Sequence, residues 1–406
     1  MKAVVFHGIG DIRLDDVKMP KIKQPHDAIV RLTASAICGT DLHMVRGTLP
    51  GMKPGTILGH EGVGVVEEVG GEVRNFRVGD RVVIPSTIGC GSCCYCRSGY
   101  FAQCDEANPN GRDAGTAFFG GPKSSGPFDG LQAEFARIPY AQVGLVRLPD
   151  TVSDEQAILL SDIFPTGYFG AHLAEITAGD TVVVFGCGPV GVFSIISAQL
   201  FGAGRVIAVD HIESRLDLAR QHGAEVIDFD REDPVQVIRQ LTGGSGADRA
   251  IDAVGVDAQM PSSGPAAKVA KKRLEQFKQE QSVVAPETHA KGDLWVPGNA
   301  PSQVLRWAVE SLAKAGTLSI IGVYPPTAEA FPLGQAMNKN LTLNMGNCNH
   351  RRYLPELVRR VASGEVDPTS VLTKERPLIS AIEAYEAFDR RQAGWMKVEL
   401  EPAMVA

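Results

Sequence analysis

"TVVVFGCGPVGVFSIISAQL", residues 181–200, passes from a β-branched block through three glycines into a run of apolar residues. Gly186, Gly188 and Gly191 stand as G-x-G-x-x-G, with Pro189 and Val190 filling the last gap. Glycine allows a tight turn and lets backbone N–H groups approach a pyrophosphate, which then rests at the positive end of the following helix. A glycine triplet alone is weak evidence and could be a turn with no ligand. Between a strand and a helix it predicts a dinucleotide site. Nineteen residues past Gly191, "RVIAVD" ends in Asp210. A carboxylate there accepts from both ribose hydroxyls and repels a 2′-phosphate, and His211 follows where an arginine would favour NADP. NAD is the expected cofactor.

Outward from this motif, "RVIAVD", "EVIDF", "RAIDAVG" and "TLSIIG" recur between amphipathic segments. That alternation predicts a parallel, doubly wound sheet over residues 156–335. Residues 1–155 read differently. "KAVVF", "DAIVRLTAS", "GVGVVEEVG" and "DRVVIP" are short strands closely spaced by turn residues, as in an antiparallel barrel. Residues 336–406, with "NLTLNMG" as a strand and "RRYLPELVRRVASGEV" as a helix, are expected to return to the first domain. About 45 residues at 256–300 exceed the short connection a doubly wound unit needs and read as an insertion. It carries a Lys-rich helix, "AAKVAKKRLEQFKQEQ".

The chain has 406 residues and a formal net charge of -7, which gives no electrostatic footprint for nucleic acid. Its start breaks into charge too early for a signal peptide, and no apolar run reaches membrane-spanning length. The expected compartment is the reducing cytoplasm, where clustered cysteines stay as thiols or bind metal.

Five of eight cysteines fall in "GCGSCCYCRSGYFAQC", residues 89–104. Cys90, Cys93, Cys96 and Cys104 have the spacing C-x2-C-x2-C-x7-C, which lets one loop turn four thiolates inward on a tetrahedral zinc. Gly91 and Gly99 ease the wrap. Cys94 is out of phase and reads as a spectator. Four thiolates saturate the metal, so this site holds a loop and does no chemistry. Cys38 in "ICGTDLH", His60 in "LGHEGVG" and Asp162 in "SDIFPTG" are candidates for a second, open metal site. Each alone is more readily a core residue.

Gly59, His60, Glu61, Gly64, Gly70 and Val73 fill the pattern G-H-E-x2-G-x5-G-x2-V. With "CGTDLH", the cysteine loop and the glycine motif in this order, nearly the whole chain outside the insertion resembles the zinc-dependent medium-chain alcohol dehydrogenases. The resemblance implies an α/β fold class, a GroES-like β-barrel catalytic domain plus a Rossmann coenzyme domain, and two zinc ions per chain with NAD. It makes Cys38 and His60 the first two ligands of the catalytic zinc. The third is Asp162, because "SDIFPTGYFGA" resembles the branch of glutathione-independent formaldehyde dehydrogenases; Glu61 is the rival, as in polyol-dehydrogenase relatives. Asp41 would orient His60. Thr40 and His43 match the family's proton relay, Thr166 a position beside the nicotinamide, Arg215 a basic position near the adenosine ribose, and Lys397 an arginine that reaches cofactor phosphates in some relatives. In the formaldehyde branch an insertion covers the adenine side and retains NAD, a role the 256–300 segment is placed to share.

These readings converge on an enzyme that moves a hydride between an alcohol or hydrated aldehyde and NAD, with formaldehyde or a small primary alcohol as substrate. Polyol or amino-alcohol dehydrogenation is the alternative within the family. A zinc-free quinone reductase is disfavoured by Cys38, His60 and Asp162. A non-catalytic, zinc-stabilised nucleotide-binding protein is the alternative from another class. A homo-oligomer is implied, a tetramer before a dimer.

Overall fold

In the computed structural model, which describes residues 1–111 and 113–402, the apolar blocks at the start of the chain become strands. They are β1 (Lys2–Gly8), β2 (Asp11–Asp16), β3 (Ala28–Ile37) and β4 (Thr56–Ile57), then β5 (Gly62–Val69), β6 (Arg81–Ile84), β7 (Phe135–Ile138) and β8 (Val146–Arg147). Alternation along β3 puts Ala28, Val30 and Leu32 on one face, fully buried with Val66, Val82 and Ile84. β3 pairs antiparallel with β5 and β7, and β5 with β6. A smaller sheet has the order β2-β1-β4.

The glycine motif belongs to a second unit. β9 (Thr181–Phe185), β10 (Arg205–Asp210), β11 (Glu225–Asp228), β12 (Ala247–Asp252), β13 (Leu312–Ile320) and β14 (Thr342–Met345) make one parallel sheet ordered β11-β10-β9-β12-β13-β14. Helices cover both faces of such a sheet, so its strands read as continuous apolar runs; Val182, Val183 and Val184 are all fully buried. Strand order reverses between β9 and β12, and the turn after β9 lies at that switch point, where open α/β sheets bind ligands.

The two units are Met1–Pro165 with Thr288–Val296 and the chain from Asn347 on, and Thr166–Glu287 with Pro297–Gly346. The boundaries differ from the sequence expectation in three places. Helix Asp154–Ser161 packs on the first unit's strands, so that unit runs to Pro165 rather than 155. "NLTLNMG" forms β14, parallel to β13 in the second unit, so the return comes at Asn347 and not near 335. The 256–300 segment is divided. Helices Gly264–Ala270 and Leu274–Val284 lie in the second unit, with Phe277 fully buried, while Thr288–Val296 packs into the first. There Leu294 and Trp295 join a core with Val4, Phe6 and Phe388. Back in the first unit, β15 (Lys374–Pro377) and β16 (Val398–Glu401) complete a larger sheet, β15-β16-β3-β5-β6-β8.

Candidate active site

Cys38 follows the last residue of β3 and caps helix Gly39–Arg46. Asp41, at the third helical position, returns Oδ2 to accept the Cys38 backbone N–H at 2.9 Å. Its other oxygen, Oδ1, lies 3.3 Å from His60 Nδ1. Gln132 Nε2 donates to Asp41 Oδ2 at 3.2 Å and to the Ala36 carbonyl at 3.0 Å, and the Tyr385 hydroxyl donates to Gln132 Oε1 at 2.8 Å. Asp41 is thus held from below while it faces His60. His60 follows Gly59, whose φ of +89° and lack of a Cβ matter: a methyl there would stand 2.4 Å from Gln132 Cγ.

Asp162 sits at the break between helices Asp154–Ser161 and Ile163–Leu173. Ser161 pins that break, accepting the Gly62 N–H at 3.0 Å and donating to the Ile84 carbonyl at 2.5 Å. Asp162 Oδ2 then reaches 3.1 Å from His60 Nε2 and 3.7 Å from Cys38 Sγ. One donor atom from each of Cys38, His60, Glu61 and Asp162 falls within 4.8 Å of the others, and all four residues are buried. Burying a thiol, an imidazole and two carboxyls costs several kcal/mol per uncompensated charge, so such a cluster calls for a cation. One sulfur, one nitrogen and a carboxylate oxygen are donors that suit zinc.

Burial raises the Cys38 thiol, opposed by the charge of His60. Burial would lower His60, yet the charges of Asp41 and Cys38 carry it well above the ordinary histidine value. Burial works against the Asp162 carboxylate, but hydrogen bonds from His350 and His60 hold it well below the usual range.

Glu61 has a different partner. Lys397 Nζ lies 2.6 Å from Glu61 Oε1 and 2.5 Å from Oε2, and also donates to the Ile37 carbonyl at 3.1 Å. Both residues are fully buried in the first unit. Lys397 is therefore committed to the metal-side carboxylate rather than to a cofactor phosphate. Sequence reasoning missed His350, whose Nε2 is 2.6 Å from Asp162 Oδ1, together with Ser86 and Gln132. Nothing in "GNCNH" or "IPST" marks them, because their meaning depends on which strand ends meet. His43 is 6% exposed, with Nδ1 2.9 Å from Thr48 Oγ1, and Thr40 is half-buried one turn earlier on the same helix. Phe118 sets its ring edge-on to His60, centroids 6.2 Å apart.

Cys90, Cys93, Cys96 and Cys104 also bring their sulfurs within 4.8 Å of one another. Cys93 and Cys104 Sγ are 3.9 Å apart. Zinc–sulfur bonds of about 2.3 Å in a tetrahedron give edges of about 3.8 Å. Backbone N–H groups point at the sulfurs, from Cys93 to Cys90 Sγ at 3.3 Å and from Cys90 to Cys104 Sγ at 3.2 Å. The Cys104 thiol is pulled down to about 4, first by a hydrogen bond from Cys96 and then by the Cys90 and Ala107 amides. Gly91, at φ +80°, has no room for a side chain against Val143. Cys94 is exposed and outside the group.

In the second unit, helix Pro189–Leu200 begins at Gly188 with no side-chain cap, leaving its first N–H groups open to an anion. Gly191 is obligatory: a Cβ there would lie 1.9 Å from the Gly186 carbonyl oxygen. Asp210, at the end of β10, accepts the Cys187 N–H on Oδ2 at 2.8 Å and the His211 N–H on Oδ1 at 2.7 Å. Burial opposes its ionisation, but the Arg215 charge and these amides lower its pKa. Thr166 opens this unit, half-buried on helix Ile163–Leu173.

Residues 24–150 match the family model of the alcohol dehydrogenase GroES-like domain, and residues 189–269 that of the zinc-binding dehydrogenase. An uncharacterized zinc-type alcohol dehydrogenase-like protein, AdhB of Bacillus subtilis, is 36% identical over 99% of this chain and the whole of that protein. The chain belongs to the zinc-type alcohol dehydrogenase family. The alcohol dehydrogenase TADH from Thermus sp. ATN1 superposes with a TM-score of 0.79 at 33% identity, over 99% of each chain. The glutathione-independent formaldehyde dehydrogenase of Pseudomonas aeruginosa is 37% identical over 64% of this chain and 66% of that protein. As a member of the zinc-type family the chain is an oxidoreductase acting on alcohols, with zinc and a nicotinamide dinucleotide as its cofactors. No helix among the described residues is long and apolar enough to cross a membrane.

Proposed function

We propose that this dehydrogenase oxidises an alcohol or a hydrated aldehyde, formaldehyde or a small primary alcohol, with NAD, and that Cys38, His60 and Asp162 hold its catalytic zinc. The observation that carries the reading is the meeting of those three donors with Glu61 inside 4.8 Å. Zinc at that site supplies a Lewis acid that acidifies the substrate hydroxyl, and NAD supplies the hydride acceptor.

The chain's residues do the rest. Asp41 keeps the His60 ring turned so that Nε2 faces Asp162. Thr40 and His43 carry the substrate's proton outward, and burial of His43 supports a role beyond a surface helix position. Open N–H groups at Gly188–Gly191 receive the pyrophosphate, with Thr166 beside the nicotinamide and Arg215 by the ribose. Asp210 takes the ribose hydroxyls; its ionised state supports NAD over NADP. Asp162 is favoured over Glu61 as third ligand because both Glu61 oxygens already face Lys397. That pairing also weighs against the polyol reading. Cys90, Cys93, Cys96 and Cys104 hold the second zinc. The eight free thiols fit a cytoplasmic setting. A tetramer and retention of NAD between turnovers are further expectations, checked by light scattering and by nucleotide released on unfolding.

Metal analysis is expected to give two zinc per chain, and Asp162→Ala one, with turnover lost by at least about a hundredfold. A panel of formaldehyde, ethanol, benzyl alcohol, sorbitol and threonine with NAD identifies the substrate. One zinc in the native protein and no turnover would instead support a nucleotide-binding protein without catalysis.

A further inference from the structure

We propose that His350 is a positioning residue that fixes Asp162 as a one-oxygen metal ligand, and that Thr87 selects the histidine tautomer that does so. The inference rests on Asp162 being a ligand, as argued above. The two carboxylate oxygens of Asp162 are used in different directions. Oδ2 faces Cys38 Sγ and His60 Nε2 at 3.7 and 3.1 Å. Oδ1 faces His350 Nε2 at 2.6 Å, with Ser86 Oγ at 3.4 Å.

A carboxylate with both oxygens free can chelate one ion through both, or rotate between them. A donor on Oδ1 removes that freedom and leaves Oδ2 for the metal. His350 can donate to Oδ1 only through a protonated Nε2, and in the tautomer that carries its single proton there Nδ1 is the acceptor. Thr87 Oγ1 stands 3.1 Å from Nδ1 and can donate to it, the Cys348 carbonyl at 3.5 Å being the more distant acceptor for the same proton. The arrangement matches the usual logic of metal sites, in which groups behind the ligands set their orientation and basicity. Here the familiar roles are reversed: an imidazole orients a carboxylate.

The backbone around His350 is built to hold it there. Asn349 Oδ1 accepts the Ala102 N–H at 2.9 Å, and Asn347 Nδ2 donates to Thr116 Oγ1 at 2.7 Å. His350 opens helix His350–Ala362 and is 3% exposed. "NCNH" thus clamps one imidazole beside the metal ligands from the far end of the chain.

The test loads the full-length protein with cobalt(II) and measures chelator competition together with the visible spectrum. Native protein is expected to bind two ions. His350→Leu, similar in bulk but without a donor, should weaken one site by about 10- to 100-fold and change its d–d bands. The thiolate-to-cobalt bands of the four-cysteine site should stay unchanged and report that the fold is intact. His350→Gln, which keeps a donor, should recover most of the native affinity and spectrum. Thr87→Val should shift affinity in the same direction by less. Native competition and spectrum in His350→Leu, or equal impairment in Leu and Gln variants, overturns the proposal. Should His350→Leu not fold, Thr87→Val decides: unchanged metal binding overturns it. A single ion in the native protein would instead overturn the Asp162 assignment itself.

Discussion

Lys397 shows how far one residue's meaning depends on its neighbours. Its place near the end of the chain resembles that of a phosphate-binding arginine, but its ammonium is buried against Glu61 within 2.6 Å. Burial lowers such an ammonium's affinity for protons, while the Glu61 and Cys38 charges more than offset that and raise it. Glu61 is also shifted upward, by burial first, with the Lys397 charge opposing. Removing one partner leaves the other charge stranded in a dry interior. Lys397→Met is therefore expected to destabilise the protein by about 3–5 kcal/mol, read as a fall in the denaturant midpoint at constant m. Lys397→Met combined with Glu61→Gln should recover much of that loss. If the single substitution is neutral, the pair is solvated and the burial argument fails.

At the scale of elements, the strand–turn–helix at the glycines and the gathering of the four cysteines were legible because their requirements are local. A turn that must approach phosphate needs glycine at fixed offsets, and four thiolates on one ion need short spacings. Both stretches can be read without knowing what lies across from them. Gly191 makes the point testable, since a methyl there would overlap the Gly186 carbonyl oxygen at 1.9 Å. Gly191→Ala should raise the NAD dissociation constant by at least tenfold while both zinc ions remain, measured by cofactor fluorescence titration and metal analysis. Loss of metal along with NAD affinity would mean that the substitution acts on more than its own turn. The open site was only half legible. Cys38, His60 and Asp162 come from three separate turns, and resemblance rather than spacing grouped them. His350, Ser86 and Gln132 carried no local signal at all, because an orienting role exists only where distant strand ends meet.

Across the whole molecule, alternation between strand and helix patterns located both architectures but misplaced their seams. An apolar strand such as β14 looks the same whichever sheet it extends, and the 256–300 segment gave no sign that Trp295 would bury itself in the first unit, its backbone N–H donating to Asp389 Oδ2 at 2.7 Å. Charge is distributed with equal indifference to sequence distance. Glu399 on β16 stands in register with Glu375 on β15, and Glu155, Glu401 and Asp154 also act on it. It is 3% exposed, and its Oε2 has no hydrogen-bond partner among the described residues. Burial first, then these four carboxylates, push its pKa from 4.5 up to about 8. The folded protein thus keeps a proton that the unfolded chain has already lost, so stability falls as pH rises through this window. Below about pH 4.5 both states are protonated and Glu399 has no effect. From there to about pH 8 its cost grows by up to about 1.4 kcal/mol per pH unit, and above pH 8 it is constant. Glu399→Gln mimics the protonated form at every pH. Its melting temperature should match the native value near pH 4.5 and exceed it by a widening margin up to pH 8. A difference that stays flat across that range would mean the carboxyl is ionised throughout and its charge is compensated by solvent.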